Sequence, residues 1–212
     1  MAEREARAWV RSSAGSAADA EEIAVYQAYN NAIGQAAIDA QTLAVPGFGR
    51  KRMTWIKPSY LWMAYRCGWS TKPNQTTTLR IWLRAGAFAG LCQQAVASHF
   101  DRERYADRAA WDRAVETSHV RFQWDPERDA ALQAIPGRRA LQLGVRDEAL
   151  QAYLEGITAI EDVSKEMRAF AAASLVRRGP ALFQITAREK PLRLPDLAKR
   201  ALGIEDEKAA EV

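Results

Sequence analysis

Between Asp39 and Asp101 the chain carries no Asp or Glu, a gap of 61 positions in a sequence with 26 carboxylates among 212 residues. Inside this gap, the stretch from Arg50 to Arg84 holds eight cationic residues (Arg50, Lys51, Arg52, Lys57, Arg66, Lys72, Arg80, Arg84) and four of the seven Trp. The chain is formally +4, so a block at +8 leaves about −4 for the rest, and charge is segregated along the sequence. Cations interleaved with indoles, and free of carboxylates, suit a ligand that joins phosphates to flat rings. The cations meet the phosphates while the indoles stack on the bases. Arg52, Lys57, Arg66, Arg80 and Arg84 are the candidate phosphate contacts, and Trp55 and Trp82 the candidate stacking surfaces. Lys57 and Ser59 stand at a strand-to-helix junction, where the N–H groups of Tyr60 and Leu61 would also face an anion. The plainer alternative is that Trp55, Trp62 and Trp82 are core residues and the cations solvate a surface.

Two further groupings could carry chemistry. Gln123-Trp124-Asp125-Pro126-Glu127 sets two carboxylates beside a Gln and a Trp at a strand end. Facing a basic cleft, Asp125 or Glu127 could act as a general base or stabilise a developing cation, with Gln123 beside them. Asp125-Pro126 is equally a turn-forming pair, and a surface turn accounts for the same residues. Glu161-Asp162-Val163-Ser164, between two expected helices, reads as a helix cap. The phosphate-loop, dinucleotide-fold, serine-hydrolase and zinc-protease signatures are all absent. With two His and two Cys in the chain, no metal is expected. Cys67 and Cys92 sit in apolar helical patterns and are expected to be buried and unpaired.

The elements that must position these groups follow from periodicity. A strand is expected over Ile23–Tyr29, then a helix from Ala32 to Thr42 capped by Asn30 or Asn31, ended by Pro46-Gly47-Phe48-Gly49. Arg52–Ile56 reads as a short strand stopped by Lys57-Pro58, and Ser59 caps a helix from Tyr60 to Arg66 that Gly68 closes. Thr78–Arg84 is the clearest strand, with Leu79, Ile81 and Leu83 on one face and Arg80, Trp82 and Arg84 on the other. That second face is either a ligand platform or a solvated face whose cation stems cover the indole. Helices are expected over 86–100, 106–116, 147–160 and from 164 to Arg177, the last ended by Gly179-Pro180, with a short helical piece near 197–202. Strands are expected over 120–124, breaking at Asp125-Pro126, and over 139–145. Polar and apolar positions alternate in these strands, so the sheets should be buried on one side only.

About five short, mostly half-buried strands among amphipathic helices define an α+β domain. Its expected limits are residues 21–204, after a flexible lead-in over 1–20 and before a charged tail over 205–212. Hydrophobic residues at 48% and charged residues at 26% are ordinary for a soluble protein. No secretory leader or membrane-length apolar run is present, so cytoplasmic residence is expected.

VYQAYN (25–30), RMTWIKPSYLWMAYRCGW (52–69), VRFQWDPERD (120–129), LQLGVR (141–146) and IEDVS (160–164) together resemble a bacterial and fungal family known as domain of unknown function 4291, over about residues 21–204. At the level of fold the order of these motifs is also similar to ADP-ribosyltransferase-like domains. In those, a first strand offers a polar residue, a second an aromatic residue or Ser, and a late strand a carboxylate, around a cleft for NAD. The likeness implies Tyr26 or Gln27, Ser59 or Tyr60, and Asp125 or Glu127 in those parts; the first position has no His or Arg. The resulting expectation is a site for a nucleotide, NAD among them, or another phosphate-bearing small molecule, in a nucleotide-dependent transferase. A non-catalytic module for single-stranded RNA or DNA is the alternative, and a scaffold without a small ligand the third reading.

Overall fold

A computed structural model describes residues 3–13, 21–173 and 175–204 of the protein. Strands β1 (Glu3–Arg4), β4 (Thr54–Ile56), β6 (Ala95–Ala97), β7 (Val120–Arg128) and β8 (Ala134–Val145) form one sheet, in the order β1-β8-β7-β6 with β4 also paired to β8. Strands β10 (Glu189–Pro191), β2 (Arg7–Ser12), β3 (Glu21–Tyr29), β5 (Thr77–Arg84) and β9 (Ile157–Asp162) form a second sheet in that order, antiparallel throughout. Helices α1 (Asn31–Ala40), α2 (Tyr60–Cys67), α3 (Ala85–Gln93), α4 (Arg108–Thr117), α5 (Asp147–Gly156), α6 (Ser164–Ala172), α7 (Leu175–Thr186) and α8 (Asp196–Leu202) complete an α+β domain.

One hydrophobic core is shared by both sheets. Leu79, Ile81 and Leu83 of β5 join Leu141, Leu143 and Val145 of β8, with Phe88 and Leu91 of α3 and Tyr153 of α5. A second core lies on the opposite face of the second sheet, where Tyr26 and Trp82 pack with Tyr60 and Met63 of α2, Met167 of α6 and Leu182 of α7. The expectation of half-buried sheets therefore fails for β5, seven of whose eight residues are buried, and for Ala140–Val145 of β8, all six of which are buried. Trp55, Gln123 and Asp125 on the far face of the first sheet remain half-exposed.

Several boundaries differ from the sequence reading for identifiable reasons. The lead-in expected over 1–20 contains β1 and β2, paired to β8 and to β3 and β10; residues 14–20 and the tail 205–212 lie outside the described residues. The turn expected at Asp125-Pro126 is absent, because β7 runs on to Arg128. The N–H of Ser98 bonds to the carbonyl of Phe122 at 2.9 Å, so residues 122, 124 and 126 turn their backbone toward β6. As β6 stops at Ala97, the N–H that Pro126 lacks would face a free edge, where proline costs a sheet least. The helix expected over 147–160 ends at Gly156. Beyond it the β-branched Ile157 and Ile160 pair with β5, with Thr158 bulged out between Ile157 and Ala159. Gly156 allows that exit, since a Cβ there would lie 2.6 Å from Leu83 Cδ1. The helix expected over 86–100 likewise gives way to β6, and Gly179-Pro180 lies inside α7 instead of ending α6.

Candidate functional site

β4 ends at Ile56, one residue before Lys57-Pro58, and this brevity builds the site. Ser59 then caps α2, its Oγ accepting from the N–H of Trp62 at 3.2 Å, and Gly68 ends the helix with φ of 58°. Just before Pro58 the backbone of Lys57 bridges to Tyr26 of β3, with N–H to O distances of 2.7 and 3.3 Å. The first sheet thereby touches the second, and a cavity of about 570 Å³ opens beside the bridge. It is lined by Gln27, Tyr29 and Asn30 from β3 and its end, by Phe48 from the Gly-rich loop, by Arg52, Thr54, Trp55 and Lys57 from β4 and its flanks, and by Arg66 from α2.

None of the described residues lining this cavity is a carboxylate. Arg52 and Arg66 make no ion pair among the described residues; Arg66 donates to Gln75 Oε1 at 3.2 Å. Lys57 is buried, and among the described residues its Nζ has one acceptor, the carbonyl of Trp55 at 3.3 Å, with the ring of Trp62 5.3 Å away. Burial first, and then the charge of Arg66, push its amine down to about 7, against a smaller opposing pull from Asp125. The polar wall is fixed from behind. Gln27 donates to Thr54 Oγ1 at 2.7 Å and to the carbonyl of Trp55 at 3.1 Å, and accepts from Tyr153 OH at 2.8 Å.

Asp125 lies on the far face of the first sheet, within electrostatic reach of Lys57. Its two oxygens accept from Gln123 Nε2 at 2.9 Å and Gln142 Nε2 at 2.6 Å. Burial raises its carboxyl above the usual range, with the Gln123 amide, the Lys57 charge and the Gln142 amide working the other way. A carboxylate held on both oxygens by uncharged amides is oriented without being neutralised.

Of the residues singled out from sequence, Gln27, Arg52, Trp55, Lys57 and Arg66 share the cavity, while Asp125 and Gln123 are not among its lining residues and Asp125 is linked to it through the charge of Lys57. The others lie elsewhere. Ser59 Oγ donates to Glu127 Oε1 at 2.8 Å, and the N–H of Tyr60 donates to Glu189 Oε1 at 2.7 Å. The N-terminus of α2 is thus occupied by the chain's own carboxylates, and Glu127 sits on that side of the helix. Burial drives the Glu189 carboxyl up to about 8. Tyr26 is fully buried against Tyr60. Arg80 is paired to Glu161 at 2.8 Å and Glu166 at 3.6 Å, Trp82 Nε1 donates to Glu161 at 2.6 Å, and Arg84 donates to the carbonyl of Glu155. The Arg80 and Trp82 face of β5 is therefore a neutralised internal layer, neither solvated nor open to the cavity. Tyr29, Asn30, Thr54, Phe48 and Gln142 were missed. Only Gln142 left a trace, as the polar member of the alternation Leu141-Gln142-Leu143.

Among the described residues no group of three or more His, Cys, Asp or Glu could hold a metal ion, and no helix is long and apolar enough to cross a membrane. Cys67 and Cys92 are free and buried. A family model described as Domain of unknown function (DUF4291) matches residues 14–192, and the chain belongs to that family. No curated protein matches it.

Proposed function

Taking membership of that family as a premise that supplies no chemistry of its own, we propose that the protein binds a nucleotide in the cavity beside Lys57, and that it is a nucleotide-dependent transferase with Asp125 as its working carboxylate. The carrying observation is that three cations line one cavity without a carboxylate among its described lining residues. The buried Arg80 shows the contrast, since it is neutralised by the chain itself. Arg52, Lys57 and Arg66 would take the phosphates, while Trp55 and Phe48 offer ring faces to a base. A cavity of this size lies inside the range of roughly 300–1,000 Å³ typical of small-molecule sites, which favours a mononucleotide or dinucleotide over a long strand. In ADP-ribosyl transfer from NAD, the bond from ribose to nicotinamide breaks with its electron pair left on the ring nitrogen. A held carboxylate such as Asp125 would stabilise the ribosyl cation and then accept the proton released as the acceptor's nucleophile bonds to that carbon.

Titration calorimetry with NAD, ATP and AMP at moderate salt tests the binding half. Saturable binding to at least one is expected, weakened about tenfold or more by Arg52→Ala or Arg66→Ala, the loss of a charge-assisted contact of roughly 1.5–3 kcal/mol. Both residues are exposed, so the fold should survive. Unaltered affinity in both variants would remove the cavity from consideration. Binding only to oligonucleotides, with a log-log salt slope of about −0.7 per neutralised phosphate, would favour the nucleic-acid reading instead. Nicotinamide release from NAD tests the catalytic half: Asp125→Asn is expected to lower it by about 10² or more while leaving affinity within a few-fold.

A further inference from the structure

The far face of the first sheet carries more than Asp125. One residue beyond the pairs Ile56 with Leu143, Leu143 with Phe122 and Phe122 with Ala97 lie Lys57, Gln142, Gln123 and Ser98, a single polar row across four strands. At strand spacings of about 4.8 Å the row spans roughly 14 Å. Its middle members hold Asp125, as described above. At its far end Ser98 Oγ reaches Gln123 Oε1 at 3.5 Å and shares a hydrogen bond of 2.9 Å with His99 Nδ1. There a second cavity, of about 410 Å³, opens where β6 stops short of β7.

This second cavity is also cationic. Arg4, Arg102 and Arg104 line it with His99, and Asp101 is the one carboxylate. Asp101 is turned to its own backbone, its Oδ1 accepting from the N–H of Glu103 at 3.0 Å. Arg104 is spent on the carbonyls of Arg200 and Ala201. Arg4 and Arg102 make no side-chain ion pair or hydrogen bond among the described residues.

We propose that the Ser98–His99 cavity binds the phosphate group of a second ligand, at the end of the polar row opposite Lys57 and the nucleotide in the first cavity. The ligand class follows from two guanidinium groups without an ion pair among the described residues, and an imidazole, around one opening. Its position relative to the nucleotide rests on the reading of the first cavity; its affinity for phosphate does not.

His99 and His119 are the only histidines in the chain, and His119 lies elsewhere, against Asp147 at 3.2 Å. Carbethoxylation by diethyl pyrocarbonate, followed site by site by mass spectrometry, therefore carries an internal control. Saturating inorganic pyrophosphate, or a 5′-phosphorylated RNA trinucleotide in a separate arm, is expected to slow modification of His99 about fivefold or more and to leave His119 unchanged. Protection by the trinucleotide alone would make a strand end the source of the phosphate, and protection by pyrophosphate a small phosphoester. Arg102→Ala, at an exposed position, should abolish protection, whereas Arg52→Ala should retain it whether or not the first cavity binds a nucleotide. Equal rates with and without both probes, parallel protection of both histidines, or protection that survives Arg102→Ala would overturn the proposal.

Discussion

Lys57 buries an amine whose proton is held only to about pH 7 in the fold, against an ordinary value of 10.5. The unfolded chain keeps that proton some three units further, so between about pH 7 and 10.5 unfolding takes up a proton. Stability therefore rises with pH across this window, and the penalty of the buried charge is fully present below it. Lys57→Met is expected to remove the slope and to stabilise the protein by several kcal/mol at pH 6, with the advantage fading toward pH 10. Urea denaturation at the two pH values checks this. Loss of the amine leaves no orphan, since the carbonyl of Trp55 keeps its bond from Gln27. A phosphate arriving at the cavity would restore the proton, so affinity should weaken as pH rises past 7. That Lys57 stands among cations with no carboxylate near it in the chain was legible, and the cavity it lines has none among its described lining residues. That it is buried was not, because burial depends on Trp62 and on the Tyr26 bridge, contacts no local pattern records.

The layer between β5, β9 and α6 shows where local pattern misleads. Arg80, Trp82 and Arg84 alternate with Leu79, Ile81 and Leu83 as an exposed face would, and the sequence reading followed that pattern. The partners of Arg80 and Trp82 lie some 80 residues away: Glu161 near the end of β9, most of which reads as helix, and Glu166 in α6. Glu161→Ala would strip Arg80 and the indole N–H of Trp82 of their shared acceptor. A loss of about 2–4 kcal/mol is expected, below the fully buried limit because Glu161 is itself part-exposed. Chemical denaturation measures it, and nucleotide affinity should be unchanged, which separates this layer from the cavity. Two caps, by contrast, were local and readable: Asn30 and Ser59 both bond to their own helices as their types dictate, whereas the cap expected over 161–164 is not made, Val163 standing at that position without a side-chain bond.

At the scale of the molecule, α+β class and single-domain organisation were legible because periods of 2 and 3.6 alternate throughout. The pairing of strands into two sheets was not, since β1, β2 and β10 are short and owe their state to partners far along the chain. Those two sheets meet in backbone terms at Tyr26 and Lys57, and the same residue whose backbone closes this junction turns its side chain into the cavity. The junction is thus a two-bond clasp between plates. If the proposed nucleotide binds beside Lys57, it would load this clasp directly, and slower deuterium uptake at the Tyr26 and Lys57 amides with nucleotide than without it would register in the backbone what has arrived at the side chain.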